Sequence, residues 1–150
     1  MVCPAAAAAA HPKHGVVVQP VETRDDARDM AAVLAAGYQI PLESALRAVP
    51  LETARVPGIE IHLARVEGKA VSTVSTTRHD RIVGIWAMAT LPEQQGKGVG
   101  KALLSQVMDA HRHRGAETFF LGATPAGFPL YERLGYRDFG AMQMWERRKS

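Results

Sequence analysis

The stretch Gln95-Gly96-Lys97-Gly98-Val99-Gly100 has the residue types and spacing most suited to chemistry. Glycine lets a backbone approach a ligand closely and visit positive φ. Here a strand pattern ends, glycines follow at alternate positions, and a long helical pattern starts at once. Successive N–H groups can then converge on one anion at the positive end of the helix dipole. Lys97 and Lys101 add cationic side chains, so a pyrophosphate is the natural guest. Two common phosphate motifs fail on spacing. A P-loop ending on Gly100-Lys101 needs glycine where Gln95 stands and Ser or Thr where Ala102 stands. A dinucleotide fingerprint started at Gly96 needs glycine where Lys101 stands. Two readings therefore fit these residues: an anion cradle, or a glycine turn that only joins strand to helix.

Other reactive side chains are sparse. Cys3 is the single cysteine, so an intramolecular disulfide is impossible and a reducing compartment is favoured. No Cys/His cluster has metal-ligand spacing, and His111 and His113, two apart on a helix, point in different directions. No metal is expected. No Gly-x-Ser-x-Gly elbow or Cys–His signature suggests an acyl-enzyme. Tyr131 has an ionisable hydroxyl, but its ring could equally serve the core. Glu60, His62 and His79 are titratable but fit outward-facing strand or turn positions.

The elements that must position these groups can be read from periodicity. Val16 to Val18 is a strand bounded by Pro20. Thr23 and Asp26 have the spacing of a capping box, with Met30, Val33 and Leu34 at helical spacing and Gly37 closing the helix. Pro41 opens a second helical stretch with Leu42, Ala45, Leu46 and Val49 on one face. Three strands follow. Ile59 to Val66 and Val71 to Thr77 flank a Glu67-Gly68 hairpin turn, and Ile82 to Ala89 follows the turn Arg78 to Arg81. A helix from about Val99 to Arg114 buries Val99, Leu103, Val107 and Ala110, and its last turn is basic where cations suit the dipole. Thr118 to Leu121 is a strand, Phe128 to Leu134 a short helix stopped by Gly135, and Ala141 to Trp145 a last strand. The order predicts a mixed α/β (α+β) domain around one central sheet.

The chain has 150 residues, 47% hydrophobic and 22% charged, which suits one globular domain over 15–150. Residues 1–14, with six consecutive alanines, read as a disordered leader. They lack the basic start and bulky apolar core of a secretory signal, and no apolar run approaches a membrane span. A cytoplasmic location is the expectation. The net charge of +3 is mild, and no basic stripe interleaved with aromatics accompanies it, so no nucleic acid is expected as a partner.

Gln95 to Gly100 resembles the Gln/Arg-x-x-Gly-x-Gly/Ala signature of the GNAT superfamily of N-acetyltransferases. Ala89 to Glu93 looks like that family's strand-to-loop entry. Pro129-Leu130-Tyr131-Glu132-Arg133-Leu134-Gly135-Tyr136 is similar to its late helix. The resemblance is strong from about residue 82 to 145. It implies a mostly antiparallel sheet splayed between its fourth and fifth strands, flanked by helices, with the pantetheine arm of acetyl-CoA inserted in the splay as an added strand. Mapped here, the fourth strand ends at Met88-Ala89-Thr90, and backbone N–H groups near Met88 polarise the thioester carbonyl. Gln95, Gly96, Lys97, Gly98, Val99, Gly100 and Lys101 hold the pyrophosphate. Tyr131 matches the tyrosine that protonates the departing thiolate; a thiol pKa of roughly 8.5 against a phenol pKa of roughly 10 makes that transfer feasible.

The chain departs from the family on the fourth strand: Ile82 to Ala89 carries neither the carboxylate many relatives use as a base nor a histidine. The general base stays unassigned. Trp86, Tyr38 and Phe128 are alternatives between cleft and packing roles. The resulting expectation is acetyl transfer from acetyl-CoA to an amine of a small molecule or peptide, with a homodimer compatible. The competing reading is a non-catalytic acyl-CoA-binding or regulatory module on the same fold.

Overall fold

The computed structural model describes residues 1–4 and 14–141. Among the described residues six strands form one mixed sheet: β1 (Val2–Pro4), β2 (Val16–Pro20), β3 (Ile59–Val66), β4 (Lys69–His79), β5 (Ile82–Thr90) and β6 (Thr118–Leu121). Their spatial order is β1-β6-β5-β4-β3-β2. Each neighbouring pair is antiparallel except β5 and β6. Parallel neighbours need a crossover, and α3 (Val99–His113) supplies it. Helices α1 (Arg24–Tyr38) and α2 (Leu42–Ala48) pack on one face over Ile61 and Leu63. α3 and the short α4 (Phe128–Arg133) cover the other face over Val74, Val83 and Phe119.

Local chemistry explains most boundaries. Thr23 and Asp26 form the capping box: each backbone N–H is accepted by the other's side chain at 3.1 Å. Arg65 on β3 binds both Asp26 and Asp29, pinning α1 to the sheet. The Glu67-Gly68 turn has φ of 49° and 79°, the two left-handed residues of a tight hairpin.

Several expectations are corrected. Val2–Pro4 is not leader: it pairs with β6 and buries Cys3 completely, because β6 would otherwise be an open edge. Residues 5–13 of the expected leader lie outside the described residues, as do residues 142–145 of the expected last strand. Gly37 does not end α1. It lies within the helix, and a Cβ there would sit 2.8 Å from the Ala89 Cβ, so glycine is what lets α1 touch β5. The left-handed residue is Gln39, at φ 54°. In α3 the buried stripe passes through His111, not Ala110, which is exposed.

His111 is therefore not a cation at the helix end. Its Nδ1 accepts from Arg114 at 3.1 Å, which leaves Nε2–H to donate to Thr76 Oγ1 at 3.0 Å. Burial, with Arg114 nearby, pushes its pKa down to about 4. Arg114 also clamps Glu60 through two hydrogen bonds of 2.6 and 2.9 Å. Burial disfavours the Glu60 charge, but these bonds outweigh it and hold the carboxyl below its usual range. A depressed imidazole pKa gives the unfolded chain more protons between pH 6.5 and about 4. Stability is thus complete above that window and falls as pH drops through it. The expected loss is of the order of 3 kcal/mol, visible in chemical unfolding at pH 7 and pH 4. The substitution His111→Asn should flatten the slope. An unchanged slope in that variant would assign the acid sensitivity to other groups.

Candidate active site

β5 and β6 separate where the site lies. Their ladder runs from Ile82↔Thr118 to Ile85↔Leu121 and stops, while β5 continues to Thr90. On the other side, β5 carries one extra residue relative to β4 between Trp86 and Ala89. Ala87 absorbs it at φ 47°. A bulge of this kind bends the strand and re-aims the residues beyond it. The edge of Trp86–Thr90 that faces away from β4 is therefore free of β6, and this is the splay.

A cavity of about 650 Å³ fills the gap. One wall is the end of β5, Met88 to Thr90. Its floor is the loop before α3 and that helix's first turn. The opposite wall is Gly122, Thr124 and α4, and the end of α1 at Gly37 to Gln39 completes the lining. The structure thus brings Met88, Ala89, Thr90, Gln95, Gly96, Gly98, Val99, Gly100, Lys101 and Tyr131 to one cavity. Lys97 is the exception. It is exposed and not part of the wall.

The floor has the features of an anion cradle. Gly98, at φ 78°, is the N-cap of α3 and offers no side chain to cap it, so the first N–H groups of the helix stay available. A Cβ at Gly100 would lie 2.9 Å from Thr90 Oγ1 and 3.2 Å from Met88 Cε, so only glycine keeps that corner open. Gln95 fastens the loop: its amide donates to the Thr90 carbonyl at 3.1 Å. Ser72 holds Thr90 from below, with its Oγ 2.7 Å from the Ala89 carbonyl and 2.8 Å from Thr90 Oγ1. Nothing in the Ser72 strand pattern announced that role.

Two phenols face this space. Tyr131 is buried in α4, its ring set edge-on to Tyr136 at 5.8 Å, and its hydroxyl points at Met88 Sδ at 3.7 Å. Burial, reinforced by Tyr38 nearby, pushes its pKa up to about 12. Tyr38, at the end of α1, donates to the Met88 carbonyl at 3.0 Å, and burial raises its pKa too. The other candidates lie elsewhere. Trp86 is exposed on the sheet surface, stacked edge-on to Phe120 and bonded to Thr77. Phe128 is half-buried and off the wall, and His79 is exposed at the end of β4. Glu60 and His62 face α3 with His111 and Arg114, away from the cavity.

Residues 57–138 match the family model described as "Acetyltransferase (GNAT) domain". The chain belongs to the GNAT acetyltransferase family. It is 36% identical over 62 residues to the glucosamine 6-phosphate N-acetyltransferase of Trypanosoma brucei brucei, a stretch covering 41% of this chain and 42% of that protein. Two solved structures share the fold. The glucosamine-6-phosphate N-acetyltransferase of Arabidopsis thaliana has a TM-score of 0.67 at 18% identity, over 89% of this chain and 99% of that one. AAC(6')-Iy, solved in complex with a bisubstrate CoA analogue, has a TM-score of 0.72 at 13% identity, over 89% and 99%. The GNAT family uses acetyl-CoA. Among the described residues no helix is long and apolar enough to cross a membrane, and no group of three or more His, Cys, Asp or Glu is placed to hold a metal ion.

Proposed function

We propose that this GNAT chain transfers the acetyl group of acetyl-CoA directly to an amine. The observation that carries the reading is the convergence on one cavity of a free strand edge, an uncapped helix N-terminus and a buried phenol. The cavity suits the cosubstrate at both ends. The N–H groups from Gly98 onward and the Lys101 ammonium would hold a pyrophosphate, and Gly100 leaves room for the chain attached to it. The free edge of Met88 to Thr90 would take an extended amide-bearing arm as an added strand. Acetyl-CoA supplies the activated acyl thioester. The backbone at Met88, re-aimed by the Ala87 bulge, would offer N–H groups to its carbonyl oxygen. Tyr131 would give its hydroxyl hydrogen to the departing sulfur, and the proton that the amine sheds on acylation would restore the phenol.

Calorimetric titration tests this, with ATP and CoA as comparisons. Saturable binding of acetyl-CoA far tighter than ATP is the expected result. A folded sample that ignores both CoA species would overturn it. The non-catalytic alternative predicts the same binding without turnover of any amine.

A further inference from the structure

The cavity wall says what kind of amine it can serve. Its titratable side chains among the described residues are Tyr38, Tyr131, Lys101 and Arg133. Both phenols are held in their protonated, donor form. The other two are cations with no acceptor capacity. Each of these groups gives hydrogen bonds at neutral pH, and none is available to take a proton from an ammonium. The rest of the wall is glycine, amide, hydroxyl, thioether and hydrocarbon. Such a wall repels a polycation and works best on an amine that arrives already neutral.

The end of α1 adds a second, independent feature. From the wall residues Gly37 to Gln39 the chain runs directly into a set of exposed apolar side chains, which would serve as a lip. Tyr38 is 45% exposed, Ile40 39%, and Leu42 and Leu46, one turn apart on α2, 50% and 42%. An acceptor that carries its own apolar group beside the amine would cover this lip.

We propose that the acceptor is an α-amino group: the free amine of an amino-acid amide or peptide whose first side chain is apolar. This rests on the acetyltransferase reading of the same cavity. An α-amine has a pKa of about 7.7–8.0 against about 10.4 for a lysine side chain, so near pH 7.5 its neutral fraction is roughly 200-fold larger. The wall need supply no base to exploit that difference. The apolar first side chain settles on Ile40, Leu42 and Leu46, and Tyr38 stands between lip and cavity.

The experiment measures CoA release from acetyl-CoA at pH 7.5 with leucinamide, glycinamide, Nα-acetyl-lysinamide, spermidine and glucosamine 6-phosphate. Acetyl-CoA affinity is measured in parallel by calorimetry. The kcat/KM for leucinamide should exceed that for Nα-acetyl-lysinamide by about 100-fold. It should exceed that for glycinamide by about tenfold, as burial of one leucine side chain allows. The exposed double substitution Leu42→Ser with Leu46→Ser should erase the gap between leucinamide and glycinamide while acetyl-CoA affinity stays the same. If a folded protein fails to bind acetyl-CoA, the enzyme reading and this inference fall together. If it binds acetyl-CoA but acetylates lysine, spermidine or the sugar phosphate as well as leucinamide, or leaves leucinamide untouched, only this inference falls.

Discussion

Replacing Gly100 with valine is expected to weaken acetyl-CoA binding about 5- to 150-fold, the equivalent of roughly 1–3 kcal/mol of overpacking. The fold itself should survive. Gly100 is the second residue of α3, and glycine is the poorer helix former of the two. The cost falls on the cavity. The new Cβ would press on Thr90 Oγ1 at 2.9 Å and on Met88 Cε at 3.2 Å. Thr90 has little freedom, because Ser72 and Gln95 both hold it. The Met88 side chain gives way, and it lines the same cavity the ligand needs. Alanine should fall between glycine and valine. Calorimetry gives the affinity and thermal unfolding confirms the fold. Wild-type affinity in the valine variant would separate this corner from the cosubstrate.

The sequence was most legible where local rules decide the conformation. The Thr23–Asp26 box, the Glu67-Gly68 hairpin and the Gln95–Gly100 loop each announce themselves through short-range chemistry, and each stands where the spacing put it. The splay was legible only through family resemblance. Its local cause is Ala87 at positive φ, and alanine gives no sign of that conformation, which the bulge against β4 imposes. Gly37 misled for the opposite reason. Glycine near a helix end usually stops the helix, but here it serves a tertiary contact with Ala89 that no window of sequence contains. Val2–Pro4 and His111 follow the same pattern. Both are held by partners distant in the chain, β6 for the strand and Thr76 with Arg114 for the imidazole. At the site, Tyr131 could be matched from its motif. Tyr38 stood open between cleft and packing roles until its bond to the Met88 carbonyl decided it, and Ser72 became a site residue only through its hold on Thr90.

Tyr131→Phe is expected to lower kcat about 100-fold, the lower end of what a positioned acid contributes, with acetyl-CoA affinity unchanged. The ring would stay in place. Phenylalanine keeps the edge-on contact with Tyr136 and the close approach to Gly127, where a Cβ would come within 3.0 Å of the Tyr131 ring. Only the hydroxyl near Met88 Sδ is lost. The lower end is expected because burial has moved this phenol up to about 12. A thiolate whose conjugate acid lies near roughly 8.5 is a poor base toward so weak an acid. Tyr131 therefore acts chiefly as a hydrogen-bond donor to the sulfur as its charge develops, with the proton transferred late. The pH profile separates this from ordinary acid catalysis. A phenol of pKa about 12 remains a donor throughout the alkaline range. The kcat should then show no descending limb between pH 7 and pH 10, and loss of the hydroxyl in the phenylalanine variant should leave the shape of the profile unchanged. A descending limb in that range that disappears with Tyr131→Phe would show a phenol of ordinary acidity giving up its proton in full. An unchanged kcat, with chemistry established as rate-limiting, would take Tyr131 out of the reaction.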